Sequence, residues 1–120
     1  MKYWAGPDMK KYCIVIEIKP ERLDEYIKLH KELKTGDYRQ LVEVIRESGV
    51  KEEVIFIHNN LVIIYFEADD LGKSYKYQEN HEIVEKWNKM MKPLIQSTSE
   101  LVSGDHDNIP TLEKVFDLNE

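Results

Sequence analysis

Cysteine is nearly missing from this chain. Cys13 stands alone among 120 residues, so no intrachain disulfide can form, and a reducing compartment is compatible with that. Long hydrophobic runs are missing too. The longest, about Leu61 to Phe66, falls far short of the roughly 20 apolar residues that span a bilayer. The opening stretch, Met1 to Asp8, is too short and too polar for a signal peptide. A cytoplasmic protein without a membrane partner is therefore expected. Basic residues are in the minority, with 17 Lys and Arg against 23 Asp and Glu and a net charge of −6. The bases are scattered among the acids, so nucleic acid is not an expected partner either. There is no glycine-rich phosphate loop, no Walker motif, no zinc-ligand spacing and no Gly-x-Ser-x-Gly elbow. Nucleotide cofactor chemistry and serine hydrolysis thus lack support. No repeat or linker divides the chain, and its length suits a single domain over 1–120.

What is present reads as alternating strands and helices. Ile14, Ile16 and Ile18 alternate with Cys13, Val15 and Glu17, the two-residue period of a strand. Pro20 suits a helix start, where its missing N–H does no harm. Leu23, Tyr26, Ile27, His30 and Leu33 or Lys34 then follow at helical spacing. Thr35-Gly36-Asp37 interrupts that helix, and Leu41, Val42, Val44 and Ile45 resume it until Ser48-Gly49. Residues 53–57 and 61–67 form a hairpin around His58-Asn59-Asn60. Leu71, Tyr75 and Gln78 share a helical face. Asn80 reads as the N-cap of a further helix carrying Ile83, Val84, Trp87, Met91 and Leu94, which Pro93 ends or kinks. Residues 96–111 read as a loop and 112–118 as a final strand.

That order of elements is the split βαβ, ferredoxin-like arrangement of the α+β class. It predicts a four-stranded antiparallel sheet with helices on one face. The other face needs cover, and a second copy is the expected cover, so a homodimer follows.

Few residues offer chemistry. Tyr26 and His30 are i and i+4 on one helix, so their side chains meet on the face that also carries Leu23 and Ile27. Spacing alone leaves two readings open: a core His packed on a Tyr, or a general acid/base titrating near working pH. Trp87 is likewise either core or an apolar platform under a sugar ring. Asp105-His106-Asp107-Asn108 is a polar cluster whose spacing fits turn chemistry better than a metal site, so no metal is expected. His58 and His81 read as surface residues, and Cys13 as an inert core thiol.

Taken together, several stretches resemble the L-rhamnose mutarotase family. Trp87-x-x-x-Met91, Asp107-Asn108-x-Pro110 and Leu112-Glu113-Lys114-Val115-Phe116-x-Leu118 look like that family's C-terminal pattern. Pro20, Glu25-Tyr26 and Tyr26-x-x-x-His30 look like its N-terminal half. The resemblance spans about residues 10–118 and leaves 1–9 as an extension. It implies a dimeric α+β barrel that interconverts the α and β anomers of a deoxyhexose, L-rhamnose or a relative such as L-fucose, with no cofactor. It implies His30 as the catalytic residue and Tyr26 and Trp87 as substrate contacts. Three departures border the expected pocket. Lys31 to Asp37 stands in place of an Ile-Trp-Pro-Glu stretch, Glu53 in place of a tyrosine, and Asn88 in place of a second tryptophan. Glu53 and Asn88 are therefore further substrate-binding candidates. The expected chemistry is proton delivery to the ring oxygen and removal from the C1 hydroxyl, with His30 as donor. Two other classes stay open: a different enzyme on the same barrel, such as a small monooxygenase, or a non-catalytic metabolite-binding module.

Overall fold

The computed structural model describes residues 9–96 and 111–120. The first strand, β1 (Lys10–Glu17), leads through a single 3-10 turn at Pro20–Arg22 into α1 (Leu23–Lys31). The helix ends there because Leu33 to Gly36 fold into turns: the N–H groups of Thr35 and Gly36 both reach the Glu32 carbonyl. A second helix, α2 (Arg39–Glu47), starts after the interruption and stops at Ser48. Gly49 follows with φ 101°, the left-handed conformation that a side chain resists, so the chain can turn sharply into β2 (Val50–His58). The hairpin to β3 (Leu61–Ala68) turns at Asn59, whose φ of 54° is one that Asn tolerates. Asp70 caps α3 (Leu71–Gln78) by accepting a hydrogen bond from the Lys73 N–H at 3.1 Å. The last helix is α4 (Glu82–Met91), followed by a 3-10 turn at Lys92–Leu94 where Pro93 ends the regular helix. His81 precedes α4 as its N-cap without a side-chain cap bond, so the expected cap at Asn80 is off by one residue. The Asn80 amide instead turns back to the Lys76 carbonyl.

The sheet is antiparallel in the order β1-β3-β2. Its register puts Ile14 opposite Ile64, Tyr12 and Glu53 opposite Phe66, and Ile55 opposite Ile64, so these residues share the face beneath the helices. Ile14, Ile18, Val62, Ile64, Phe66 and Ala68 bury that face against Tyr26, Leu41, Val44, Leu71, Val84, Trp87, Met91 and Leu94. A register shift between Val50 and Glu52 sets the edge strand so that Val50 is buried and Glu53 points toward the helices. The opposite face is open. Val15, Ile63 and Phe56 form one cross-strand row there, with Val15 44% and Phe56 61% exposed. Cys13, Tyr65 and Val54 form the next row, so Cys13 is a half-buried residue of the open face and not a core thiol.

The expected fourth strand is corrected. Residues 112–118 lie beside β1, on the edge where a ferredoxin-like order puts a last strand, but they form no ladder. One backbone bond, Leu112 N–H to the Cys13 carbonyl at 2.7 Å, and the Lys11–Asp117 ion pair tie the segment down. Val115, Phe116 and Leu118 stay largely exposed, because the sheet face that they could pack on is uncovered in a single chain. Residues 97–110, which include the Asp105–Asn108 cluster and the Asp107-Asn108-x-Pro110 motif, lie outside the described residues.

Candidate active site

A cavity opens between the sheet and all four helices. Its inner chamber, about 150 Å³, is walled by Ile14, Ile64 and Phe66 from the sheet, Tyr26 and His30 from α1, Tyr75 and Gln78 from α3, and Trp87, Asn88 and Met91 from α4. An outer chamber of about 410 Å³ continues toward α2 and β2. His30, Glu53 and Trp87 line both chambers and so stand where they join. All five residues singled out from the sequence, Tyr26, His30, Glu53, Trp87 and Asn88, therefore meet in one cavity.

Local helix geometry sets the histidine. One turn separates His30 from Tyr26, and their rings stack at a centroid distance of 4.1 Å. The Trp87 and His30 rings meet edge to face, with centroids 5.1 Å apart and planes at 79°. His30 Nδ1 lies 2.8 Å from the Tyr26 carbonyl oxygen, which fixes the ring's rotation. Burial holds the imidazole below its usual titration range, only partly opposed by that backbone bond. Burial also raises the Tyr26 phenol, with a further push from the charge of Glu53. Tyr75 is raised for the same two reasons, so Glu53 acts on both phenols.

Glu53 is open to solvent at the cavity mouth, yet walls on several sides crowd its carboxyl. That crowding pushes it up to about 7; the open side tempers the shift without reversing it. Among the described residues no group of three or more His, Cys, Asp or Glu could hold a metal ion. No described helix is long and apolar enough to cross a membrane. His58 is exposed as expected, while His81 is half-buried against Tyr77.

Sequence reasoning missed some wall residues, and an aromatic outside the wall that packs on Trp87. Tyr38, in the segment between α1 and α2, packs edge-on against Trp87 at 5.4 Å. Tyr75 and Gln78 were visible as a helical face with Leu71, but nothing local told that this face meets α1 and α4 across a cavity. Gln78 is braced by a hydrogen bond from its amide to Ser48 Oγ at 3.0 Å.

A neutral imidazole, a carboxyl that titrates near 7 and aromatic walls make a site for acid–base chemistry, set in a ferredoxin-like α+β fold. Comparison with known proteins agrees with that class and narrows it. A sequence model of L-rhamnose mutarotase matches residues 11–118. The L-rhamnose mutarotase of Oceanobacillus iheyensis is 30% identical over 94 residues, covering 77% of this chain and 86% of that protein. The crystal structure of an L-rhamnose mutarotase from Formosa agariphila superposes with a TM-score of 0.64 at 22% identity, covering 91% of this chain and 98% of that one. Tetracenomycin F2 cyclase from Streptomyces glaucescens shares the fold, with a TM-score of 0.59 at 19% identity over 90% of this chain and 95% of that one. The chain belongs to the L-rhamnose mutarotase family. It is an isomerase that interconverts the α and β anomers of L-rhamnose, and neither a monooxygenase-like enzyme nor a non-catalytic module is favoured.

Proposed function

We propose that the two-chamber cavity is where the anomers exchange, with His30 as the catalytic residue and Tyr26, Trp87, Asn88 and Glu53 in contact with the sugar. The observation that carries this is the meeting of His30, Trp87 and Glu53 at the junction of the chambers. The Trp87 indole offers an apolar wall to the C–H face of a pyranose. Glu53 and Asn88 offer hydrogen bonds to its hydroxyls. Proton transfer by such side chains needs no cofactor, and the enzyme works without one.

The working unit is a homodimer in the cytoplasm. Its support is the open sheet face, where the Val15–Ile63–Phe56 row lacks cover, and the apolar Val115, Phe116 and Leu118 beside it. The decisive experiment is saturation-transfer NMR of anomeric protons with L-rhamnose, and with L-fucose as comparison. Addition of the protein should accelerate exchange between the α and β signals of L-rhamnose. A rate equal to that of the buffer alone would refute the reading.

A further inference from the structure

His30 supplies half of what ring opening requires. The reaction takes a proton from the O1 hydroxyl and gives one to the ring oxygen O5. The C1–O5 electron pair leaves with O5 as the C1=O1 double bond forms. After rotation about C1–C2, closure on the other carbonyl face reverses both transfers, so no proton is consumed overall.

The geometry defines the share of His30. Its Nδ1 is 2.8 Å from the Tyr26 carbonyl, and a carbonyl oxygen only accepts, so Nδ1 carries the ring proton. In the neutral imidazole Nε2 is then a bare lone pair, able to accept the O1 proton. That makes His30 the proton acceptor and not the donor expected from the sequence, so a separate donor must serve O5.

The inner chamber holds few groups with a proton to give. Tyr26 and Tyr75 keep theirs more tightly than usual, because burial and the Glu53 charge both disfavour the phenolate. The amides of Gln78 and Asn88 do not titrate. Lys31, Lys34, Arg46 and Lys51, with Glu52, line only the outer chamber and are exposed at its rim. Of the residues that line both chambers, Glu53 is the one that carries an acid proton in the neutral range, and it faces the helices that hold His30.

We propose that Glu53 is a second catalytic residue, protonating the ring oxygen while His30 Nε2 takes the O1 proton. This rests on the reading of the cavity as the anomer-exchange site. Opening the ring turns a neutral acid and a neutral base into a carboxylate and an imidazolium. Their attraction across a crowded site stabilises the open-chain state, and closure returns both protons.

The test is L-rhamnose exchange between pH 5 and 9 for the wild type, Glu53→Gln and Glu53→Asp. The wild-type rate should fall on the acid side as His30 protonates, and on the alkaline side as Glu53 ionises around pH 7. Glu53→Gln should lower kcat by about 100-fold or more, change KM little, and abolish the alkaline limb. Glu53→Asp should retain part of the rate and shift that limb. The ¹⁵N spectrum of His30 at pH 7 should show a protonated Nδ1 and a bare Nε2. A folded Glu53→Gln protein with wild-type kcat and an intact alkaline limb overturns the proposal, as does an Nε2-protonated His30. If Glu53→Gln does not fold, Glu53→Asp decides, and an unshifted limb at full rate overturns it. A wild-type protein inert toward L-rhamnose fails differently, because it removes the reading beneath the proposal.

Discussion

His30 touches two aromatic rings, and its removal separates packing from chemistry. His30→Ala deletes a half-buried ring that touches Tyr26 and Trp87 but leaves the apolar core beneath intact. Its cost in stability should be about 1 kcal/mol, read from denaturant unfolding. Anomer exchange should slow by at least about 100-fold, read from NMR saturation transfer. Tyr26→Phe keeps the stack on His30 and removes one hydroxyl, so exchange should slow only about fivefold, the effect of roughly 1 kcal/mol. Glu53 predicts a stability effect of opposite sign. Its carboxyl rises from an ordinary 4.5 to about 7 on folding, so the folded state binds more protons across that window. Stability therefore falls as pH rises from about 4.5 through about 7. Glu53→Gln, which never ionises, should gain thermal stability over the wild type at pH 8 and show no such gain at pH 4.5. Equal melting-point differences at both pH values would mean that the carboxyl is not crowded as described.

Short helices with marked ends hold these side chains in place. The α3 helix has only eight residues, yet it carries Tyr75 and Gln78 into the cavity. Its start depends on Asp70, whose carboxylate satisfies the Lys73 N–H. Asp70→Ala should lower global stability by about 1 kcal/mol in a urea titration. It should leave the L-rhamnose exchange rate at 25 °C unaltered, because Asp70 lies outside the cavity wall. A loss of exchange without a loss of stability would contradict that division of roles. Element ends were the part of the fold most legible in the sequence, wherever one residue type answers one backbone demand. Pro20, Gly49, Asn59 and Pro93 all punctuate the chain where their backbone chemistry predicts. Asn80 misleads because Asn, an effective cap in general, here serves the end of α3 through Lys76 and not the start of α4.

Among the described residues, exposed apolar side chains gather on the open sheet face. The Val15–Ile63–Phe56 row, with Val115, Phe116 and Leu118 nearby, is a run of exposed apolar residues of the kind that marks an interface. A second copy related by a two-fold axis would cover it and bury more than roughly 1,500 Å². Multi-angle light scattering should give about 28 kDa, twice the 14.3 kDa of one chain. Phe56→Glu puts a charge on that face and should return the mass to 14.3 kDa. A wild type that stays at 14.3 kDa at micromolar concentration would defeat the dimer.

Local chemistry settled the strand and helix order, the hairpin, and the pairing of Tyr26 with His30, because each depends on residues within a few positions of one another. The α+β class was legible for the same reason, since periods of two and of 3.6 leave different marks on a chain. Contacts between distant segments were decided only in the tertiary structure. Spacing on α4 makes Trp87 inward, but only packing brings it to His30, 57 positions earlier, and to Tyr38. The character of Glu53 was likewise invisible locally: a glutamate on an edge strand reads as solvated, and the walls around the cavity are what raise its carboxyl. The stretch 112–118 carries the composition of a strand without forming one, because strand formation needs a ladder and a covered face. Both depend on what lies beside the segment in space, which sequence periodicity does not encode.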